Sequence, residues 1–204
     1  MKYNQTLIIL VLLIAVLQLT SCSREKVSTD IDDYTVDSPA EQLLKQVKKS
    51  DFVVHEDGDV VSGQEIWAEF YEAVMAGEPA VVKIADYYDI DRDRVSPEFY
   101  EENKDDYPVI YLAELSYDGK EYTYRSINGL DGVNGYTRVY SYLMRYEDIP
   151  GEQATFTFCE RYVLVNDNTV TYERLQYGLY SAQIGDYINF TNVYNDYTYK
   201  PEYQ

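Results

Sequence analysis

Residues 109–127, VIYLAELSYDGKEYTYRSI, decide the fold. Two runs rich in β-branched and aromatic residues flank Asp118-Gly119, a dipeptide that favours the two-residue type I′ hairpin turn, whose central positions need positive φ. The stretch therefore predicts an antiparallel hairpin in which Val109–Tyr117 pairs with Glu121–Ile127. This hairpin supplies two neighbouring strands of a sheet.

Strand patterns continue on both sides of the hairpin. One precedes it across a charged loop and three follow it across glycine- and proline-containing turns: Ala80–Asp89, Tyr136–Tyr146, Ala154–Val165 and Tyr187–Tyr194. In the strand from Ala154, apolar and polar side chains alternate, which indicates that one of its faces is buried. Because the links between strands are short, we expect an antiparallel meander.

The clearest helical pattern is Ser62–Ala76. Ser62 and Glu65 have the spacing of a capping box, and large apolar residues recur on one face of the segment. Trp67 and Phe70 belong to that face, so we expect both in the core. Gly77 and Pro79 end the pattern.

Two shorter segments also have the helical period. Ala40–Lys49 follows Pro39, and a helix to about Gln183 follows Thr171, which is suited to cap it. Helices that bury an apolar stripe need a sheet or another helix to cover. The predicted fold class is therefore α+β, with an antiparallel sheet of about five or six strands packed on two or three helices.

The composition is acidic and rich in tyrosine. The chain has 36 acidic and 17 basic residues, a formal charge of −19, and 24 tyrosines. Such a charge repels phosphate backbones, so nucleic acid is excluded as a partner. Tyrosine has an apolar ring and a polar hydroxyl, and it therefore suits both half-buried sheet faces and ligand-binding surfaces.

The first residues have the anatomy of an export signal. Lys2 precedes the uncharged apolar run Leu7–Leu17, which is too short to span a bilayer. The tetrad Leu19-Thr20-Ser21-Cys22 resembles the lipobox of bacterial lipoproteins. The resemblance implies cleavage before Cys22 and a diacylglyceryl group on its sulfur, and two acyl chains suffice for stable anchoring.

These features divide the chain into three parts: residues 1–21 as a lipoprotein signal peptide, 22–38 as an acidic tether, and 39–204 as a single α+β domain. The expected location is the extracytoplasmic face of the cell membrane, to which lipid on Cys22 holds the domain. Three segments, Ser62–Asp86, Tyr107–Gly119 and Val163–Gly185, are similar to lipoproteins of unknown function from Gram-positive gut bacteria. That resemblance implies no activity.

An acidic loop offers a candidate metal site. Asp89, Asp91 and Asp93 have the D-x-D-x-D spacing that places oxygen ligands around calcium. Arg94 stands where the calcium loop needs glycine, and Tyr100 where it needs glutamate. The alternative interpretation is a solvated charged loop.

Other candidate sites follow from the predicted sheet. Its uncovered face is expected to carry Tyr140, Tyr142 and Arg161, which we take as candidate ligand-binding residues. A catalytic pair of Cys159 and His55 has no local sequence support, because Cys159 lies in mid-strand.

No cofactor motif is present in the sequence, and three functions remain open. The first is a non-enzymatic module that binds a peptide, protein or glycan. The second is a cell-envelope hydrolase that uses carboxylates, and the third is an accessory subunit of a membrane complex. A cleft with two facing carboxyls would favour hydrolysis, whereas a flat exposed apolar patch would favour the subunit.

Overall fold

A computed structural model of the protein describes residues 30–34, 38–128, 135–148, 150, 154–181 and 187–203. The strands in these residues are β1 (Phe52–Glu56), β2 (Asp59–Ser62), β3 (Ala80–Tyr88), β4 (Val109–Tyr117), β5 (Tyr122–Ser126), β6 (Tyr136–Tyr140), β7 (Tyr142–Asp148), β8 (Phe156–Val165) and β9 (Thr191–Tyr199). The helices are α1 (Ala40–Val47), α2 (Gln64–Met75), α3 (Pro97–Asn103) and α4 (Tyr172–Tyr180). The fold is α+β, as the sequence predicts.

The strands form two sheets, whereas the sequence predicted one. The first has the order β2-β1-β3-β4-β5-β6 and the second the order β7-β8-β9. All pairs are antiparallel except β1 and β3, which run parallel and are joined through β2 and α2. The predicted strand Tyr136–Tyr146 is divided at Ser141, whose backbone N–H donates to Oδ1 of Asn166 at 3.0 Å. This side-chain bond ends the ladder of the first sheet, and the chain continues into the second.

The predicted hairpin is confirmed as β4 and β5, in which Leu115 lies opposite Tyr124. Its turn differs from the prediction. Only Gly119 takes a positive φ, of 95°, and residues 118–121 form a longer loop. The Asp118 carboxylate closes this loop because its Oδ1 accepts the backbone N–H groups of Lys120 and Glu121, each at 2.9 Å.

Helix α2 begins later than predicted. Ser62 is the last residue of β2 and pairs with Val54, so it is not available as a cap, and the predicted capping box is wrong. The helix starts after Gly63, which has a φ of 84°. A Cβ at this glycine would lie 2.3 Å from the carbonyl oxygen of Phe52, so the close approach of β1 also requires glycine. Trp67 and Phe70 are buried, as predicted.

Three apolar clusters hold the layers together. The largest fills the space between the first sheet, α2 and the second sheet, and includes Trp67, Ile84 and Leu164. A second lies on the opposite face of the first sheet, beneath α1. The third lies between the second sheet and α4, around Leu175. Both faces of β8 are therefore buried at its C-terminal end, although its sequence pattern predicted only one buried face.

The segment Asp30–Tyr34, assigned to the tether by its sequence, packs on the domain. Ile31 is fully buried in the cluster beneath α1. The ring of Tyr34 meets that of Phe52 edge-on at 5.0 Å. The domain thus includes residues that precede the predicted boundary at Pro39. The predicted signal peptide, Cys22 and residues 23–29 and 35–37 of the predicted tether lie outside the described residues.

Helices α3 and α4 agree only in part with the sequence-based prediction. Thr171 caps α4 as predicted, since its side chain accepts the N–H of Arg174 at 3.2 Å. Leu175 is buried as predicted, but Leu179 is 49% exposed. Helix α3 was not predicted, because it lies in the charged loop and buries no residue.

Candidate ligand-binding site

A pocket of about 360 Å³ opens on the face of the first sheet that also carries α2, and no residue of α2 lines it. The pocket is lined by Asp86, Tyr88, Tyr107, Val109, Tyr111, Tyr124, Ser126, Asn128 and Tyr136. Five of these nine residues are tyrosines, and Asp86 is the one charged side chain among them. The volume lies at the lower end of the range for small-molecule sites.

Strand register explains why these side chains converge. Asp86 lies opposite Tyr111, and Tyr88 lies opposite Val109, where β3 pairs with β4. Directly paired and alternate residues of antiparallel strands point to the same face. Continuation of this face into β5 and β6 brings in the remaining strand residues of the pocket.

The pocket's carboxylate is held by a histidine. Oδ1 of Asp86 lies 2.9 Å from Nδ1 of His55, which neighbours it on the parallel strand β1. His55 is 3% exposed and its ring also meets that of Tyr194, whereas Asp86 is 27% exposed. Within the described residues Asp86 makes no ion pair with lysine or arginine, and His55 Nε2 has no hydrogen-bond partner.

Asn128 shapes the wall of the pocket beyond the end of β5. Its Oδ1 accepts the N–H of Leu112 at 2.9 Å, and its Nδ2 donates to the carbonyl of Ile110 at 2.6 Å. Ser126 donates its hydroxyl to the carbonyl of Asn128 at 2.6 Å. These buried bonds satisfy polar groups of β4 where β5 has ended, so the wall is held in one conformation.

Four of the five pocket tyrosines have a pKa raised above that of a free tyrosine. Burial raises the pKa of Tyr88 to about 12, and the charge of Asp86 adds to that effect. Burial likewise raises the pKa of Tyr111, Tyr124 and Tyr136. The pocket therefore combines one carboxylate with several aromatic rings.

We expect the protein to lose stability as the pH rises from 10 towards 12. A tyrosine whose pKa is raised above 10 by folding keeps its proton longer in the folded than in the unfolded state. The stabilisation is fully present below pH 10 and is lost as the pH rises through the folded-state pKa. Urea midpoints measured across this window should fall, and they should fall less steeply in Tyr88→Phe. Tyr180→Phe, at a residue 84% exposed, is the control and should follow the parent protein. A midpoint that stays constant up to pH 12 would contradict this prediction.

The three aspartates predicted as metal ligands lie in an exposed loop. The carboxylate of Asp89 accepts the N–H of Ile90 at 2.7 Å. That of Asp91 accepts the N–H of Asp93 at 2.9 Å and pairs with Arg94 at 3.3 Å. In the part of the chain that the structure describes, no three histidine, cysteine or acidic side chains group so as to hold a metal. Asp89 and Asp91 thus stabilise turns of the exposed loop.

The residues predicted to share an open sheet face are separated. Tyr140 is fully buried in the first sheet, and its hydroxyl lies 2.6 Å from that of Thr191. Tyr142 and Arg161 belong to the second sheet, and Arg161 lies between the rings of Tyr172 and Tyr197. The predicted face is wrong because the chain changes sheets between Tyr140 and Tyr142.

Cys159 and His55 lie in different parts of the molecule. Cys159 is on the face of β8 that carries Val163, which packs against α4. Tyr194, the ring against His55, belongs to the cluster on the opposite face of the second sheet. Burial raises the pKa of the Cys159 thiol to about 11, as in an inert buried cysteine. The pair has no common site.

None of the described helices has the length and apolar character needed to cross a membrane. Comparison of the chain with models of protein families, with curated proteins and with solved structures finds no match.

Proposed function

We propose that the protein is a non-enzymatic binding module that takes a small ligand, or one group of a peptide, protein or glycan, into the tyrosine pocket. The observation that carries the proposal is the convergence of five tyrosines from four segments around a half-buried carboxylate. Few polar groups set among aromatic walls are the usual composition of a ligand site. The hydrogen bonds of Asn128 hold one wall in place before a ligand arrives, which lowers the entropic cost of binding.

We further propose that lipid on Cys22 holds this module on the outer face of the cell membrane. This part rests on the leader sequence alone. Since Ile31 is docked on the domain, the connection from Cys22 is about eight residues long and reaches at most about 30 Å. The pocket would then sample ligands close to the membrane surface.

Hydrolysis has weaker support than binding. Asp86 is the one carboxylate among the described pocket residues, whereas carboxylate hydrolysis needs two. Ser126 and His55 do not form a nucleophile and base, because their strands β5 and β1 are separated by two others. With strands about 4.8 Å apart, the two residues are at least about 14 Å from each other.

The accessory-subunit alternative has one supporting observation. Helix α4 exposes Tyr177, Leu179 and Tyr180 on its outer surface, at 56%, 49% and 84% of their areas. None of these three side chains lines the tyrosine pocket, and nothing in the described residues indicates their partner. The pocket therefore remains the better-supported site.

A thermal-shift screen of the leader-free chain, residues 23–204, tests the binding function. The screen includes neutral saccharides, short peptides and amines. A ligand at about 100 times its dissociation constant adds about 2.7 kcal/mol to the free energy of unfolding, which for a domain of this size raises Tm by about 5 to 10 °C.

A pocket-filling variant tests whether the ligand binds in the tyrosine pocket. Val109→Trp introduces an indole into the pocket and should abolish the shift produced by the ligand. Val139→Trp makes the same change at a residue that is 52% exposed on the opposite face of the sheet, and it should keep the shift. If the ligand shifts both variants equally, it binds elsewhere and the proposal fails.

A further inference from the structure

We propose that the ligand group taken by the tyrosine pocket is an organic ammonium cation, for which Asp86 is the counter-charge. This inference rests on the proposed function and specifies its ligand. It depends on the carboxylate of the pocket, on the chemistry of its walls and on the absence of lysine and arginine from the described residues that line it.

The acidic group of the pocket is Asp86. Asp86 is partly buried and makes no ion pair with lysine or arginine within the described residues. We assign the Nδ1–H tautomer to His55, because its Nε2 is buried without a partner and a bare lone pair tolerates this better than an N–H does. In this tautomer the imidazole donates one hydrogen bond, which orients the carboxylate. Since Oδ1 accepts this bond, Oδ2 is the oxygen left for a ligand.

The walls of the pocket are formed mainly by tyrosine rings. The face of a tyrosine ring carries negative electrostatic potential and attracts ammonium and guanidinium groups, more strongly where water is excluded. Tyr88 and Tyr111 have ring centroids 6.0 Å apart, and those of Tyr124 and Tyr136 are also 6.0 Å apart. Two ring pairs thus stand on the same face around one carboxylate. An anionic ligand would be repelled by Asp86 and by these ring faces.

Arg138 makes a cation–π contact of this kind with a tyrosine at the edge of the pocket. Its guanidinium lies 4.8 Å from the ring centroid of Tyr136, and Nη1 donates to Asn189 at 3.3 Å. Arg138 itself does not line the pocket. Its positive charge lies near the pocket on the same sheet face, so it should oppose a bound cation. Asp86 and Arg138 are therefore expected to affect cation binding in opposite directions.

Size and overall charge agree with this ligand class. A volume of about 360 Å³ suits an ammonium head group with a short chain. The formal charge of −19 raises the local concentration of cations and speeds their association. The same chemistry is presented by a quaternary ammonium compound and by a primary alkylamine such as a lysine side chain.

Isothermal titration of the leader-free chain up to about 10 mM ligand tests the inference. Choline is the quaternary probe, cadaverine is the primary amine, and 3,3-dimethylbutan-1-ol is the neutral isostere of choline. At least one cation should bind, and where choline binds, the isostere should bind at least about tenfold more weakly. Binding of choline alone assigns the site to quaternary groups, and binding of cadaverine alone assigns it to primary amines.

Charge variants give the second readout. Asp86→Asn keeps an acceptor for His55 and should weaken cation binding about tenfold or more. Arg138→Gln should strengthen it about twofold to threefold. Asp89→Asn removes an equal charge from an exposed residue outside the pocket and should change affinity less than about twofold. Circular dichroism confirms that each variant is folded.

A ring variant provides the remaining control. Tyr111→Phe keeps the aromatic face and should retain binding, whereas Tyr111→Leu removes it and should weaken binding. If neither cation binds while a neutral saccharide or peptide shifts the parent chain but not Val109→Trp, the pocket binds a ligand of another class and this inference alone fails. If no ligand binds in the pocket, the proposed function fails as well. Equal binding of choline and its isostere, or no effect of Asp86→Asn, also overturns the inference.

Discussion

Replacement of Trp67 by alanine is expected to lower the free energy of unfolding by about 4 kcal/mol. Trp67 is 3% exposed and lies where α2, the first sheet and the second sheet meet. Its indole stacks on the ring of Tyr194, with centroids 4.7 Å apart, and meets Tyr162 edge-on at 5.0 Å. Alanine would leave a cavity between three layers, since neither sheet can move inward without breaking its own packing. Urea denaturation followed by far-ultraviolet circular dichroism measures the loss.

Met75 provides the matched control on the same helix. It is 68% exposed, so Met75→Ala removes a long apolar side chain without opening a cavity and should change stability by less than about 0.5 kcal/mol. Trp67→Phe keeps an aromatic ring at this position, and its loss of unfolding free energy should lie between those of Trp67→Ala and Met75→Ala. Similar losses for Trp67→Ala and Met75→Ala would mean that α2 does not join the sheets through Trp67.

Local sequence signals were sufficient for part of the fold. The hairpin of β4 and β5, the buried face of α2 and the cap at Thr171 depend on residues close together in the chain. Each was predicted because the side chains that determine it lie within one or two elements. The same locality explains the errors at Ser62 and Asp118. A capping box and a two-residue turn are local patterns. At Ser62 strand pairing with Val54 replaces the cap, and at Asp118 a longer loop replaces the two-residue turn.

Non-local pairing could not be predicted. The parallel contact of β1 with β3 joins residues about 31 positions apart, as His55 and Asp86 do. The division of the long strand at Ser141 depends on Asn166, which lies 25 positions away. A single sequence contains no signal for either contact, so one sheet was predicted where the structure has two.

The same limit applies to the candidate site. The sequence indicated that tyrosine was over-represented, but 24 tyrosines gave no means to select those around Asp86. Selection requires the register of β3 with β4 and knowledge of which part of the face α2 leaves free. Tyr140 was chosen for its place in a strand, and it is core because the second sheet covers it. The alternation of apolar and polar residues along a strand predicts which side chains share a face. Whether that face is open to a ligand depends on whether another sheet or helix covers it.

The segment Asp30–Tyr34, which the sequence assigned to the tether, is expected to stabilise the domain. Ile31→Ala is expected to lower the free energy of unfolding by about 3 kcal/mol, because the side chain is fully buried beside Leu43 and Val47. A chain that starts at residue 35 should lose at least as much relative to one that starts at Asp30, since it also lacks the ring contact of Tyr34 with Phe52. Urea denaturation of the three proteins gives both differences.

Asp32→Asn separates packing from charge in this segment. Arg125 Nη1 lies 2.8 Å from Asp32 Oδ1, but the Asp32 side chain is 63% exposed, and exposed ion pairs contribute less than about 1 kcal/mol. We therefore expect Asp32→Asn to change stability far less than Ile31→Ala. If the two variants lose equal stability, charge rather than apolar burial attaches the segment. If the chain starting at residue 35 is as stable as the one starting at Asp30, residues 30–34 belong to the tether after all, because a docked isoleucine cannot be removed without leaving its cavity.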